Sequence, residues 1–380
     1  MSGSSRKDVK YQPEGSHEEA ALVFSSELNQ ARLGELKEQL KIEPQALEPR
    51  LLLMGHFLRE QYTAKGRKKI SAALSYGEHI QAMVAHHPRH MFHATLSGFS
   101  EDKHFLETKS QWENQVRINP NDVTVLRHAA RFNWIADPWC CAKLLQRASK
   151  LDYSNDLFPA QLCEVYTQLF HNSDVSSRDK FAKLAIKELK TAIARYESLG
   201  KHEERALYTY KHDMQAEKVA AIAIACEFFS EAREIAQLVL NRTDNLQLSE
   251  VLPHVELGEA YGMIFSNNKG HAILGQIAIA EGNRANAIKH FKKLLAVEPY
   301  DHVEANFATS LLESGEQKAV IQYLECVREL FANRVKAGKP NFKQSEETER
   351  SHKYAASMVR KLNLWIRKIE KGQTPRISWS

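Results

Sequence analysis

Apolar residues recur at helical spacing along most of this chain, and glycine and proline separate the periodic stretches. The pattern is clearest over 268–301, where two apolar segments flank the tripeptide Glu281-Gly282-Asn283. Glycine adopts the left-handed conformation that commonly ends a helix, and a proline such as Pro299 cannot continue one. The stretch therefore predicts two helices joined by a short turn.

Small residues on the first of these helices would let the second approach closely, and Phe291 would fill the space between this pair and the next. The positions that define the unit are Leu274, Gly275, Gly282, Ala287, Phe291 and Pro299. The stretch 302–332 repeats the pattern, with Gly315 in the place of Gly282 and Leu324 in the place of Phe291. A repeated helix pair is typical of a stacked array, in which each pair buries its apolar face against the next.

This pattern resembles the tetratricopeptide repeat, a helix–turn–helix unit of about 34 residues with small, aromatic and proline positions in the same order. The resemblance is best over 268–301 and weaker over 122–155 and 302–332, and helix pairing alone extends it over 18–332. It implies an all-α fold, a right-handed α-solenoid of helix pairs with a C-terminal capping helix. The segment 270–366 is also similar to the C-terminal part of poorly characterised bacterial proteins of this family, which brings no established activity.

Composition marks off four segments around the array. Residues 1–17 are polar and predict a disordered tail, and 333–345 is basic with glycine and proline, which predicts a linker. Apolar residues at helical spacing predict an amphipathic helix over 346–371, which would cover the exposed end of the array. The remaining residues, 372–380, form a C-terminal tail.

Four local predictions follow from capping and turn residues. A first helix is expected over 18–41, and the connection over 63–69 is longer than the usual turn of a repeat. Asp137, followed by a proline, should cap a helix at its N-terminus. Asp301, with Glu304 three residues on, predicts a capping box at the start of the helix that follows.

The composition supports a helical protein of the cytoplasm. Among 380 residues there are only 16 Gly and 11 Pro, which favours long helices over a many-stranded β fold. The five cysteines are scattered and odd in number, with no CxxC pair, which favours reduced thiols. The first twenty residues do not resemble a signal peptide, no apolar run is long enough to span a bilayer, and the net charge of +5 is mild.

Candidate chemistry is sparse. His86, His90 and His93 have a spacing that would suit a metal site on one helical face, but Pro88 interrupts that helix and no acid or cysteine joins the set. Surface or turn histidines are therefore the favoured interpretation, and no metal or cofactor is predicted. Adjacent acid pairs diverge by about 100° on a helix, and no nucleophile or phosphate-loop motif occurs. We predict a protein without catalytic activity.

The first helices of tetratricopeptide repeats line a concave groove, where exposed polar or aromatic residues are candidates for contact with a partner. The candidates here are His56, Arg59, Asn133, Trp134, Lys269, Gln276 and Thr309. Trp134 is equally well interpreted as a packing residue. The expected function is a scaffold or adaptor that binds a segment of a partner protein; a peptide- or ligand-responsive sensor is the alternative.

The C-terminal region offers a second candidate surface. Residues 331–380 contain twelve Lys or Arg and four Glu. The favoured interpretation is the solvated side of the capping helix. Contact with an acidic protein or lipid surface is a second interpretation, and association with nucleic acid through its phosphates is a third.

Overall fold

A computed structural model describes residues 28–95, 104–198, 205–241, 257–296, 304–337 and 346–377. The described part of the chain is all-α, as predicted, with 83% of its residues in fifteen α-helices and without a strand. A short 3-10 helix covers Met91–Thr95. In chain order the α-helices are α1 (Gln30–Ile42), α2 (Leu47–Thr63), α3 (Gly66–His86), α4 (Phe105–Ile118), α5 (Val123–Asn133), α6 (Pro138–Leu151), α7 (Leu157–Asn172), α8 (Val175–Ser198), α9 (Arg205–Ala225), α10 (Phe229–Leu240), α11 (Leu257–Ala280), α12 (Arg284–Ala296), α13 (Ala305–Glu313), α14 (Gln317–Ala337) and α15 (Glu346–Glu370).

The chain divides into two compact units, Met1–Leu169 and Phe170–Ser380, whereas the sequence predicts a single array over 18–332. In the first unit consecutive helices from α1 to α6 pack against each other, and the 3-10 helix packs on α5. In the second unit α8 packs on α9, α9 on α10, α11 on α12, α13 on α14, and α14 on α15. Each unit is described by itself below.

Three small groups of buried side chains form part of the core of the first unit. Leu36 and Phe57 belong to a group shared by α1, α2 and α3. Met54 and Met83 pack with residues of the 3-10 helix. Trp112 of α4 is buried with side chains of α5. Each group lies at a contact between successive helices, where the apolar stripe of one helix packs against that of the next.

The second unit is organised around α11, which contacts α9, α10, α12 and α13. Its side chains from Ile264 to Ile273 are all buried, so this part of the helix has no solvent-facing side. The sequence places the start of the first repeat helix near residue 268, and the structure corrects this, because α11 runs unbroken from Leu257. No glycine or proline lies between 263 and 269 to end the helix there.

The defining positions of the predicted unit pack as neighbours. Ala287, Phe291 and Leu324 are buried in one apolar cluster. The Phe291 ring lies 5.1 Å from the ring of Phe307 on α13 and 4.9 Å from that of Tyr323 on α14. Phe291 therefore joins its own helix pair to the next one. Leu274 is only half-buried, and Pro299 lies outside the described residues.

The two predicted turn glycines have left-handed backbones. Gly282 has φ +74° and Gly315 has φ +90°. At the first turn the Asn283 N–H donates to the Ala278 carbonyl, and the Gly282 N–H donates to the Ile279 carbonyl. This pair of bonds is the Schellman motif, which satisfies carbonyls at the end of a helix. A side chain with a Cβ would be strained at either glycine.

Two helix boundaries predicted for the first unit differ from those in the structure. The helix predicted over 18–41 is not continuous, because α1 begins at Gln30 after its N-cap Asn29, which accepts a hydrogen bond from the Arg32 N–H; residues 1–27 lie outside the described part. The predicted long connection over 63–69 is a two-residue link, because α3 already starts at Gly66, whose φ of +58° reverses the chain. Asp137 caps α6 as predicted, accepting from the Cys140 N–H.

Three further differences concern the C-terminal part. Glu304 is the N-cap residue of α13, but its side chain makes no capping bond, and Asp301 lies outside the described residues. The predicted linker over 333–345 is helical up to Ala337. Ile377, in the predicted tail, is buried in the same cluster as residues of α15, so this end of the chain packs onto the core.

We expect Gly275→Ala to destabilise the second unit. The new methyl carbon would lie 1.9 Å from Cζ of Phe307, so the ring would have to move. Overpacking of this kind costs about 1–3 kcal/mol, which exceeds the ~1 kcal/mol that alanine gains over glycine inside a helix. A urea titration followed by circular dichroism measures the change.

Gly34→Ala is the matched control, because no heavy atom lies within 4 Å of the position that its methyl carbon would take on α1. It should be neutral or stabilise by about 0.5–1 kcal/mol. Equal effects of the two substitutions would contradict a close approach at Gly275.

Candidate functional site

The seven predicted groove residues fall into both units, four in the first and three in the second. Asn133 is 2% exposed, and its side-chain amide donates to the Ala129 carbonyl at 2.8 Å. Lys269 is 7% exposed. These two side chains are not groove residues, because each lies on the side of its helix that faces neighbouring helices. The others, His56, Arg59, Trp134, Gln276 and Thr309, are half-buried.

Three of the half-buried residues have partners close by in the sequence, and one of them is Thr309, whose hydroxyl donates to the Ala305 carbonyl at 2.8 Å. The His56 imidazole lies 3.6 Å from the Glu60 carboxylate, one helical turn away. The Arg131 guanidinium lies over the Trp134 ring at 5.3 Å from its centroid, a cation–π contact. Trp134 is therefore partly a packing residue, which is the alternative interpretation that the sequence leaves open.

Lys269 is the centre of a buried polar cluster in the second unit. Its Nζ lies 2.7 Å from a carboxylate oxygen of Glu217 on α9 and 2.9 Å from one of Glu304. The same ammonium lies over the Phe265 ring, 5.3 Å from its centroid. One lysine of α11 thus bridges α9 and the N-terminus of α13.

The charges in this cluster depend on each other. Burial by itself lowers the pKa of Lys269, but the charges of Glu304 and Glu217 outweigh burial and raise this pKa above its ordinary value. Burial raises the pKa of Glu304, and Lys269 opposes this rise. Lys269 therefore stays positively charged, and its charge stabilises the two carboxylates inside the unit.

Hydrogen bonds extend the cluster to neighbouring helices. The Ser266 hydroxyl donates to the Asp213 carboxylate, which joins α11 to α9 a second time. The Glu304 backbone N–H donates to the Tyr323 hydroxyl at 3.0 Å. Burial raises the pKa of Tyr323, so this phenol stays neutral. The arrangement fixes the positions of α9, α11, α13 and α14 relative to one another.

Sequence reasoning identified Lys269 but assigned it to the surface. It assigned Glu304 only to a capping box, and it missed Glu217. One signal was present in the chain. The polar run 266–269 lies inside a helix whose other residues are largely apolar. Polar residues in the middle of a buried helix generally indicate hydrogen-bonded or ion-paired partners on adjacent helices.

The histidine group of the first unit is mainly internal. His86 is exposed at the end of α3, whereas His90 and His93 are buried in and beside the 3-10 helix. The His93 imidazole N–H donates to the His87 carbonyl, and its ring lies against that of Trp112 at 4.9 Å. Within the described ranges, no three His, Cys, Asp or Glu side chains are arranged to hold a metal ion.

Two further histidines of this unit are the buried His128 and the half-buried His79. The His128 Nδ1–H donates to the Pro88 carbonyl at 3.0 Å, and the His79 ring is stacked on Phe57. Burial lowers the pKa of each of these imidazoles to about 4, and burial lowers that of His93 well below its usual value. All three rings are neutral at pH 7.

Among the helices described, none is both long and apolar enough to cross a membrane. Neither the protein-family models nor the curated proteins that were searched contain a match to this chain.

Proposed function

We propose that this protein is a tetratricopeptide-type scaffold or adaptor, a right-handed solenoid that binds a segment of a partner protein without catalysing a reaction. The observation that supports the proposal is the succession of α9, α11 and α13. These are the first helices of three consecutive pairs, and each contacts the next. First helices in one continuous layer provide the extended surface on which stacked helical repeats hold a partner.

Lys269 has a different role in this proposal from the one the sequence suggests. Because it pairs with Glu217 of α9 and with Glu304 at the start of α13, it holds the three first helices together. The layer is therefore rigid before the partner arrives, so binding does not have to order it. Pre-organisation of this kind lowers the entropic cost of association.

Side chains on the open part of the layer would contact the partner. Lys218 of α9 is exposed, and Gln276 of α11 and Thr309 of α13 are half-buried. Lysine and glutamine offer hydrogen bonds to an extended backbone. In the first unit, the half-buried His56 and Arg59 of α2 are the corresponding candidates.

The proposed setting is the cytoplasm of a bacterium. The five cysteines are all free thiols in the structure, which is typical of a reducing compartment. The similarity of 270–366 to bacterial proteins of the family supports the second part of this assignment.

Site-specific photocrosslinking in cells tests the proposed surface. A photoreactive phenylalanine analogue at position 276 should capture a defined protein partner, and so should the same analogue at position 218. Gln322, exposed on α14 outside the layer of first helices, is the matched control position. Capture of the same proteins at position 322, or of none at 276 and 218, would contradict the proposal.

A further inference from the structure

The outward face of α15 carries a stripe of positive charge. The opposite face of this helix, including Met358, Leu362 and Trp365, is buried against the core of the second unit. At about 100° per residue, the outward arc within about 60° of Leu364 contains only cations, Leu364 itself and a serine between 353 and 371. The cations are Lys353, Arg360, Lys361, Arg367, Lys368 and Lys371.

The stripe lacks neutralising acids in the part of the helix whose side chains are described. Arg360, Arg367, Lys368 and Lys371 are exposed, and none of these four makes an ion pair with another described residue. Glu370 is the single acid between 353 and 371, and it lies outside the arc, about 120° from Leu364. At these four positions the positive charge therefore faces solvent.

We propose that this stripe binds the phosphate backbone of a nucleic acid. Lys371 directly follows the last residue of α15, and at the rise of a helix residues 353 and 371 are about 27 Å apart. One strand of a nucleic acid places a phosphate about every 3.4 Å along a duplex axis, so the stripe spans about eight phosphates of a strand. Six cations along this length match a linear polyanion, and release of its condensed counterions would drive the association.

Two other acidic partners fit this face less well. A bilayer would need apolar side chains to insert, but the apolar face of α15 is already buried, and Leu364, 52% exposed, is the apolar residue at the centre of the stripe. An acidic protein would have to desolvate six cations around one leucine, and desolvated charges rarely repay their cost. A nucleic-acid strand would contact the cations from one side only and would leave them partly hydrated.

This binding surface is independent of the layer of first helices proposed above. The experiment uses the full-length protein and a fluorescent single strand of about 20 nucleotides, with anisotropy measured over a range of salt concentrations. The stripe variant combines Arg360→Gln, Arg367→Gln and Lys371→Gln. The control variant combines Lys65→Gln, Arg67→Gln and Lys69→Gln, which removes the same charge from exposed positions at the start of α3.

We expect the stripe variant to bind at least about tenfold more weakly near 0.1 M salt. Its plot of log affinity against log salt concentration should be shallower by about 2, since each lost contact with a single strand removes about 0.7 from the slope. The control variant should bind like the wild type. Arg360→Lys combined with Arg367→Lys should also retain binding, and both glutamine variants should keep the wild-type helical signal.

Three results would overturn the proposal. The first is the absence of wild-type binding at low salt. The second is equal weakening in the stripe and control variants, which would reflect net charge alone. The third is loss of binding to anionic phospholipid vesicles in the stripe variant while binding to the strand is unchanged, which would assign the face to a membrane surface.

Discussion

Acidification from pH 7 to pH 4.5 should unfold the first unit, because the imidazoles of His79, His93 and His128 stay neutral in the folded state, whereas the unfolded chain can take up a proton on each of them. Burial lowers the pKa of His79 and of His128 to about 4 and lowers that of His93 well below 6.5. A histidine whose folded pKa is depressed contributes its stability above the unfolded pKa near 6.5, and this stability is lost as the pH falls toward 4.

The expected loss is large. A shift from 6.5 to about 4 corresponds to on the order of 3 kcal/mol for each of His79 and His128, and His93 adds to the sum. Domains are typically stable by about 5–15 kcal/mol, so these groups alone can remove most of the stability. Trp112, Trp134 and Trp139 lie in the first unit, so tryptophan fluorescence during thermal unfolding at successive pH values reports mainly on it.

His128→Gln keeps a side-chain N–H for the Pro88 carbonyl and removes the titration, so the melting temperature should depend less on pH between 6.5 and 4.5. His171→Gln is the control, because His171 is exposed on α7. A melting temperature that stays constant for the wild type between pH 7 and pH 5 would refute the assignment of buried neutral histidines.

Replacing Lys269 with methionine should destabilise the second unit by about 3–5 kcal/mol. Such a loss is typical when one partner of a buried ion pair is removed and the other charge remains. Methionine fills the volume of the lysine stem, so the loss would report the charge and not a cavity. Glu304, 4% exposed, and Glu217 would both lose their cation. Urea unfolding followed by circular dichroism measures the change.

The variant should also change its response to pH. Without Lys269, burial would raise the pKa of Glu304 further, so the folded state would favour the protonated carboxyl. A carboxyl group whose pKa is higher in the folded state than in the unfolded state stabilises the fold at low pH. This contribution is lost as the pH rises through the pKa of the folded state. The deficit of Lys269→Met should therefore shrink as the pH is lowered, and adding Glu304→Gln should recover part of it.

Lys218→Met is the matched control, since Lys218 is exposed on α9 next to Glu217 in the sequence. Its stability should stay close to that of the wild type. If Lys218→Met and Lys269→Met unfold at the same urea concentration, the buried cluster does not hold the first helices together.

Local features of this fold could be predicted from the sequence, because they depend on neighbours along the chain. Gly282 and Gly315 mark turns whose left-handed backbones only glycine adopts readily, and Asp137 caps the helix that follows it. The burial of Phe291 and Leu324 follows from apolar residues at helical spacing. These positions account for helix ends at Gly282, Gly315 and Asp137 and for the way neighbouring helices pack.

The buried charges could not be predicted, because they depend on which helices are neighbours in space. A lysine is by residue type expected at the surface. Only the packing of α9 and α13 against α11 brings Glu217 and Glu304 next to Lys269. His93 likewise becomes internal because the 3-10 helix folds it onto Trp112. Periodicity predicts on which face of a helix a residue lies. Which residues of other helices it contacts there is decided by tertiary packing.

The central position of α11 has a consequence for synthesis of the protein on the ribosome. Because α9 and α10 both pack on α11, the apolar faces of these earlier helices stay uncovered until residues up to Ala280 have left the exit tunnel. The helix pairs of the second unit therefore cannot complete their packing one after another during translation. We expect a chaperone that recognises exposed apolar segments to bind the nascent chain at this stage. Pausing of the ribosome before residue 280 should prolong that exposure, whereas pausing after residue 337 should not.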